Sequence, residues 1–365
     1  MEKNKNSIKI KKTSAFLVLY LCIIFLVLLN ATKGFSYDYQ YYLSYIKEIK
    51  ERDLDDLISS LRGVYVPLKL STGGVEVGFV VFVKLFTYIS SNVTVTYALM
   101  AIFSLHIKSK VLMFFKVKWY WIYLILTYSC VLLEANAIRS GVSLSVFMLS
   151  IQCYFKKKYS LMLVLWALAA SLHLQALFFI FCFTCILLLN VTNFTSKRWS
   201  MSLVTLAALF SGVLLSKTFQ VFTSEKLEVY ALNESVSGGV NLVTILSLAL
   251  MGIVFILIIN RVNKEQPTSN SQKSFIGLML ISLSTLSIYT FFTSVDVVGD
   301  RLWQWGFILF CMSYFGIYRR KSFTMSKALL MSCLIINLLN VAFRYPLTNL
   351  FYPLIPYTDF SNISL

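Results

Sequence analysis

The feature that most limits what this chain can fold into is a series of apolar runs, each of about 15 to 20 residues, parted by short polar clusters. A helix rises about 1.5 Å per residue, so such runs match the thickness of a bilayer's hydrocarbon core. Composition agrees. Of 365 residues, 58% are hydrophobic and 13% charged, where a soluble domain carries about 25% charged residues. The mean hydropathy is +0.74. An ordinary soluble domain is excluded. The reading is an all-α, polytopic integral membrane protein, a single transmembrane domain over residues 1–365 with about 11 to 12 transmembrane helices.

Charge placement orients it. The formal net charge of +17 would suggest nucleic acid in a soluble chain. Here the lysines and arginines cluster between spans, as the positive-inside rule requires, and nucleic acid is not implied. The N-terminal MEKNKNSIKIKK, Lys156–Lys158, Lys197 with Arg198, and Arg319–Lys321 mark the cytoplasmic side. The run Ser14–Asn30 follows five lysines but lacks a small-x-small cleavage site, so it reads as a retained first helix. Further spans are expected at 119–135, 137–155, 159–172, 174–190, 199–217, 241–260, 275–293, 303–318 and 326–343. Residues 34–77 and 218–240 become outer loops. In the first, Ile46, Ile49, Leu54, Leu57, Ile58 and Leu61 recur at helical spacing, an amphipathic helix suited to the interface.

One region breaks the alternation. Gly78–Ser91 is short and carries Lys84, and Val93–Leu105 is another short run before Lys108, Lys110, Lys116 and Lys118. Two full crossings would put those lysines outside, so 78–91 is read as a re-entrant segment.

With this topology the stretch Ala135–Gln175 is the most informative. The lysine triplet places Arg139 and His173 together on the outer face, one helix apart. Ionisable residues at a membrane boundary are expensive and are functional candidates by default. Asp38, Glu76, Asp296, Asp300, Arg301 and Arg344 fall near the same boundary. Such a ring suits an anionic substrate whose apolar part stays in lipid. Arginine can grip phosphate oxygens with two N–H groups, and a histidine or carboxylate can take a proton from a hydroxyl. Structural alternatives stand beside this. Arg139 could close two helix ends by pairing with Glu134, His173 could be a packed core histidine, and Asp300 with Arg301 could be a boundary pair. His106 reads as interfacial. The seven cysteines lie in apolar segments, and the Cys182-x-x-Cys185 spacing reads as packing. No metal set, P-loop, GxSxG or HExxH pattern is found, and no cofactor is implied.

The order of these residues resembles the EpsG-like family of polysaccharide polymerases, relatives of the Wzy-type repeat-unit polymerases. The resemblance rests on SYDYQYY with Asp38, on Glu76-Val77-Gly78-Phe79, and on Ile138-Arg139-Ser140 opening a span. It continues with the Lys156–Lys158 turn, Leu172-His173, and Arg301 before Trp303 and Trp305. It is good over roughly residues 35–180 and loose in the C-terminal half. Ser140 stands where the family usually has Gln, and Leu172 where it usually has Phe.

The resemblance implies a GT-C-like membrane glycosyltransferase of the bacterial inner membrane, working on the periplasmic face. Its substrate would be an undecaprenyl-diphosphate-linked oligosaccharide, polymerised for O-antigen, capsule or exopolysaccharide (lipopolysaccharide pathways included), with a chain-length regulator as partner. Arg139, with Arg301 and Arg344, would meet the diphosphate. His173 or Glu76 would activate the acceptor hydroxyl, and Asp38 and Asp300 would lie in the substrate site. Other readings are an O-antigen ligase, a membrane acyltransferase, a lipid-linked oligosaccharide flippase or a scaffold without chemistry. Against a flippase, the charges gather at one boundary and no internal repeat is seen.

Overall fold

The computed structural model describes residues 37–53, 68–70, 73–134, 137–191, 242–262, 270–291, 296–317 and 324–344. The expected spans at 14–30 and 199–217, the outer loop 218–240, residues 54–67 and the tail after Arg344 lie outside the described residues. So do residues 263–269 of the polar stretch 261–274.

The described chain is helical apart from one small hairpin. Helix α1 is Tyr37–Glu51, followed by β1 (Leu68–Leu70) and β2 (Gly73–Val75), paired antiparallel with Leu68 opposite Val75. Then come α2 (Val77–Thr87), α3 (Val93–Phe114) and α4 (Trp119–Ser129) with a π-helical turn Cys130–Glu134. Helices α5 (Ile138–Phe155), α6 (Tyr159–Leu172), α7 (Gln175–Val191), α8 (Leu242–Val262), α9 (Asn270–Phe291), α10 (Asp296–Ile317) and α11 (Thr324–Arg344) complete the order. Among the described residues, Val93–Phe114, Ile138–Phe155 and Ile245–Val262 are long and apolar enough to cross a membrane. The chain is a polytopic α-helical membrane protein.

Most helix boundaries fall within a few residues of the expected spans. Two differ for physical reasons. Helix α3 does not stop at Leu105 but continues to Phe114 through His106, Lys108 and Lys110. Lys108 can lie within it because its side chain is 1% exposed and paired with Glu134. The segment Asp296–Arg301, expected as an outer loop, forms the first turns of α10.

Helix α2 has 11 residues and spans about 16 Å, about half the hydrocarbon thickness. The full traverse is made by α3, which runs alongside α5 in the same direction. Ser104 of α3 donates to the Gly141 carbonyl in the first turn of α5 at 3.0 Å. At the far end, Phe115 packs on Phe155 with ring centroids 5.6 Å apart. Both helices then end alike, with a lysine in the left-handed region: Lys116 at φ 60° and Lys157 at φ 59°. The Val117 N–H reaches back to the Leu112 carbonyl at 3.1 Å, and the Lys158 N–H to Cys153 at 2.9 Å, which closes the helix carbonyls. One end of the bundle is thereby lysine-rich, with Lys156 over the Phe114 ring. The site lies at the other end.

The second half is tied in by aromatic packing. Trp305 of α10 stacks between Phe147 of α5 and Phe179 of α7, at 6.0 and 4.9 Å. Near the lysine-rich end, Phe275 of α9 stacks on Phe155 at 4.2 Å. Lipid tails are as apolar as these side chains, so close packing rather than escape from water drives such association.

Candidate functional site

Three of the sequence candidates meet. The Glu76 carboxylate divides its oxygens: Oε1 lies 3.0 Å from His173 Nδ1, and Oε2 lies 2.6 Å from Arg139 Nη1. The side chains are 16%, 12% and 14% exposed, so the cluster is sheltered without being sealed.

Local structure explains why each side chain arrives there. Glu76 occupies the position before α2 where a carboxylate normally caps the helix, yet its side chain makes no capping bond. It turns sideways to the other two residues. Gly78 permits this: a Cβ there would sit 2.2 Å from Ser171 Oγ and 2.7 Å from the Ser171 carbonyl carbon. Only glycine lets the first turn of α2 press against the last turn of α6, two residues before His173. Phe79, fully buried, anchors that turn against Tyr42 at 6.0 Å. The Glu-x-Gly-Phe pattern is thus a charge, an approach and an anchor.

His173 breaks the chain between α6 and α7. Its backbone is extended, at φ −162° and ψ 124°. Its N–H still closes α6 on Ala169, and its carbonyl receives the Ala176 N–H of α7 at 3.0 Å. The imidazole is thrown out of the helical path towards Glu76. Arg139, in the first turn of α5, lies over two tyrosines of α1, 5.5 Å from the Tyr42 ring and 5.9 Å from Tyr45. Its Nε donates to the Tyr42 hydroxyl at 3.3 Å. Such stacking holds the guanidinium plane while its charge faces the carboxylate.

The electrostatics fix protonation. Glu76 and His173 lie in the connections between helices. Burial alone would raise the Glu76 carboxyl, but the hydrogen bond from His173 and the Arg139 charge overcome it and hold the group well below the usual carboxylate range. Burial lowers His173; Glu76 pulls it upward, while Arg139 and Arg301 push it down, and the net direction is down. A neutral imidazole beside an ionised carboxylate must place its one proton on Nδ1, because the carboxylate can only accept. Nε2 is left as a base.

Glu134 does not pair with Arg139. It meets Lys108, with Ser104 and Ser129 donating to its two oxygens at 2.8 and 2.9 Å. The π-helical turn directs it inward, and Gly141 leaves room, since a Cβ there would lie 2.8 Å from Glu134 Oε1. The pair is structural and joins α3, α4 and α5 just behind Arg139. Arg301, on α10, is near enough for its charge to act on His173. Asp38 lies on α1, Asp300 on α10 and Arg344 at the end of α11; these three are placed by element only. Among the described residues no group of three or more His, Cys, Asp or Glu could hold a metal ion.

Sequence reasoning quoted Tyr42 and Gly78 within motifs without giving either a role, and overlooked Tyr45. Tyrosines three apart on α1 were the available signal for Tyr42 and Tyr45. The chemistry of the cluster is that of an oriented base beside fixed positive charge.

No curated protein and no solved structure matches the chain. The family model described as the EpsG family matches residues 15–358. With nearly the whole chain matched and a multi-pass helical architecture around a buried polar cluster, this protein belongs to the EpsG family, a membrane enzyme of polysaccharide biosynthesis.

Proposed function

We propose that the chain polymerises undecaprenyl-diphosphate-linked oligosaccharide repeat units by glycosyl transfer on the outer face of the membrane, in the manner of a Wzy-type polymerase on a GT-C-like scaffold. The observation that carries this is the Glu76 carboxylate shared between His173 and Arg139. The donor is a glycan on polyprenyl diphosphate and the acceptor a sugar hydroxyl on a second unit. His173 Nε2 takes the hydroxyl proton as the oxygen forms its bond to the anomeric carbon. The bond from that carbon to the diphosphate oxygen breaks, and the carrier leaves with the electron pair. Glu76 holds the imidazole tautomer and stabilises the imidazolium that forms. Arg301 and Arg139 supply fixed positive charge for the departing diphosphate, whose charge grows most in the transition state. Asp38, Asp300 and Arg344 complete the substrate site, and a chain-length regulator is the expected partner.

The test is glycan from a deletion strain carrying tagged His173→Ala, Glu76→Gln or Arg139→Ala. Single repeat units replacing the ladder at normal membrane abundance support the polymerase. An unchanged ladder removes these residues from the site. A deletion strain that accumulates no single capped units points instead to a flippase or a ligase.

A further inference from the structure

One amide near the cluster has no explanation in the fold. Ser140 Oγ receives the indole N–H of Trp305 at 2.8 Å. Its own single proton goes to Gln175 Oε1, 3.3 Å away. That bond turns the amide so that Nε2 faces away from Ser140. Nε2 is shut off from solvent and has no hydrogen-bond partner. A buried donor left unpaired is costly. The opposite flip takes away the acceptor of the Ser140 proton.

The position matters more than the cost. Gln175 opens α7 two residues after His173, and Ser140 follows Arg139 directly. The amide is therefore held between the chain neighbours of both groups. Ser140 thus holds a glutamine side chain that arrives from α7. We propose that Gln175 is a substrate-positioning residue, its Nε2 donating to an oxygen of the lipid-linked saccharide. The acceptor oxygen belongs either to the diphosphate or to a sugar. This rests on the polymerase reading.

The test compares Gln175→Glu with Gln175→Met in the tagged full-length protein. Glutamate keeps an acceptor for Ser140 but has no N–H; methionine keeps neither. A substrate-donating role predicts that both variants, at wild-type abundance, lose the ladder by about tenfold or more in polymerisation rate. A full ladder from Gln175→Glu beside a defective Gln175→Met would show that only the Ser140 bond matters, and would overturn the proposal, as would full ladders from both. Thermal shifts of the purified protein with undecaprenyl diphosphate, against undecaprenol, separate the two oxygens. A stabilisation by the diphosphate that Gln175→Glu loses assigns a phosphate oxygen. One that survives, with the ladder lost, assigns a sugar oxygen. A wild-type chain that restores no ladder to the deletion strain defeats the polymerase reading itself, an outcome read without either variant.

Discussion

At the residue scale, everything turns on how one carboxylate is shared. Glu76 fixes His173 on one side and Arg139 on the other, so its loss should harm more than a single contact. Glu76→Gln is expected to lower the polymerisation rate about 100-fold or more, measured on isolated membranes, while abundance stays near wild type. The pH dependence follows from the same geometry. His173 must be neutral to act, and burial keeps it below the ordinary histidine value of 6.5. Activity should therefore hold as pH falls to that value and drop only below it, as the imidazole protonates. In Glu76→Gln the contributions that raise His173 are removed, whereas burial and the arginines remain. The acid limb should move to lower pH; a limb that stays in place would separate it from His173. Arg139 and His173 were legible as candidates because lysine positions gave their depth. Glu76 was a candidate too, but its contact with both was not legible, because it is 63 residues from Arg139 and 97 from His173.

At the element scale, two close approaches set the site. The α2–α6 contact has no space for a side chain at position 78. Gly78→Val should lower thermal stability in detergent by about 1–3 kcal/mol and separate Glu76 from His173. The second is the buried Lys108–Glu134 pair, with side chains 1% and 0% exposed. Lys108→Met strands a buried carboxylate and is expected to cost about 3–5 kcal/mol, whereas Lys108→Met with Glu134→Leu should recover most of it. A double variant as unstable as the single would show that the pair does more than balance charge. The helix ends offer the opposite sign: Lys157→Gly, at φ 59°, should stabilise by about 1 kcal/mol, because glycine adopts that conformation without a Cβ clash. Helix spans were read well from hydropathy, since each lipid-length run must satisfy its own backbone. The extension of α3 was hidden, because hydropathy treats Lys108 as a surface charge and cannot see the carboxylate that neutralises it.

At the scale of the whole molecule, parallel α3 and α5 place the site and the lysine-rich ends of both helices at opposite ends of the bundle. Ser91, exposed just ahead of α3, and Lys157, just past α5, thus lie on different faces. A cysteine at Ser91 should react with a membrane-impermeant maleimide on intact cells, and one at Lys157 only after permeabilisation, each against the unsubstituted chain. The reverse pattern would invert the orientation and move the cluster to the cytoplasmic side. The C-terminal half enters this arrangement through Trp305, which packs between α5 and α7 and bonds Ser140. A distance of 165 residues separates the two ends of that bond, so no local pattern announced it.

What the sequence by itself determined is the class of molecule and the length of most helices. Apolar run lengths and lysine placement act locally, through the cost of bare backbone and of charge in hydrocarbon. What only the tertiary structure decided is partnership: Glu76 with His173 and Arg139, Lys108 with Glu134, and Gln175 left with an unused donor. Each depends on helices distant in sequence coming close at a glycine or around an aromatic side chain. Those contacts are made by packing, which no periodicity records.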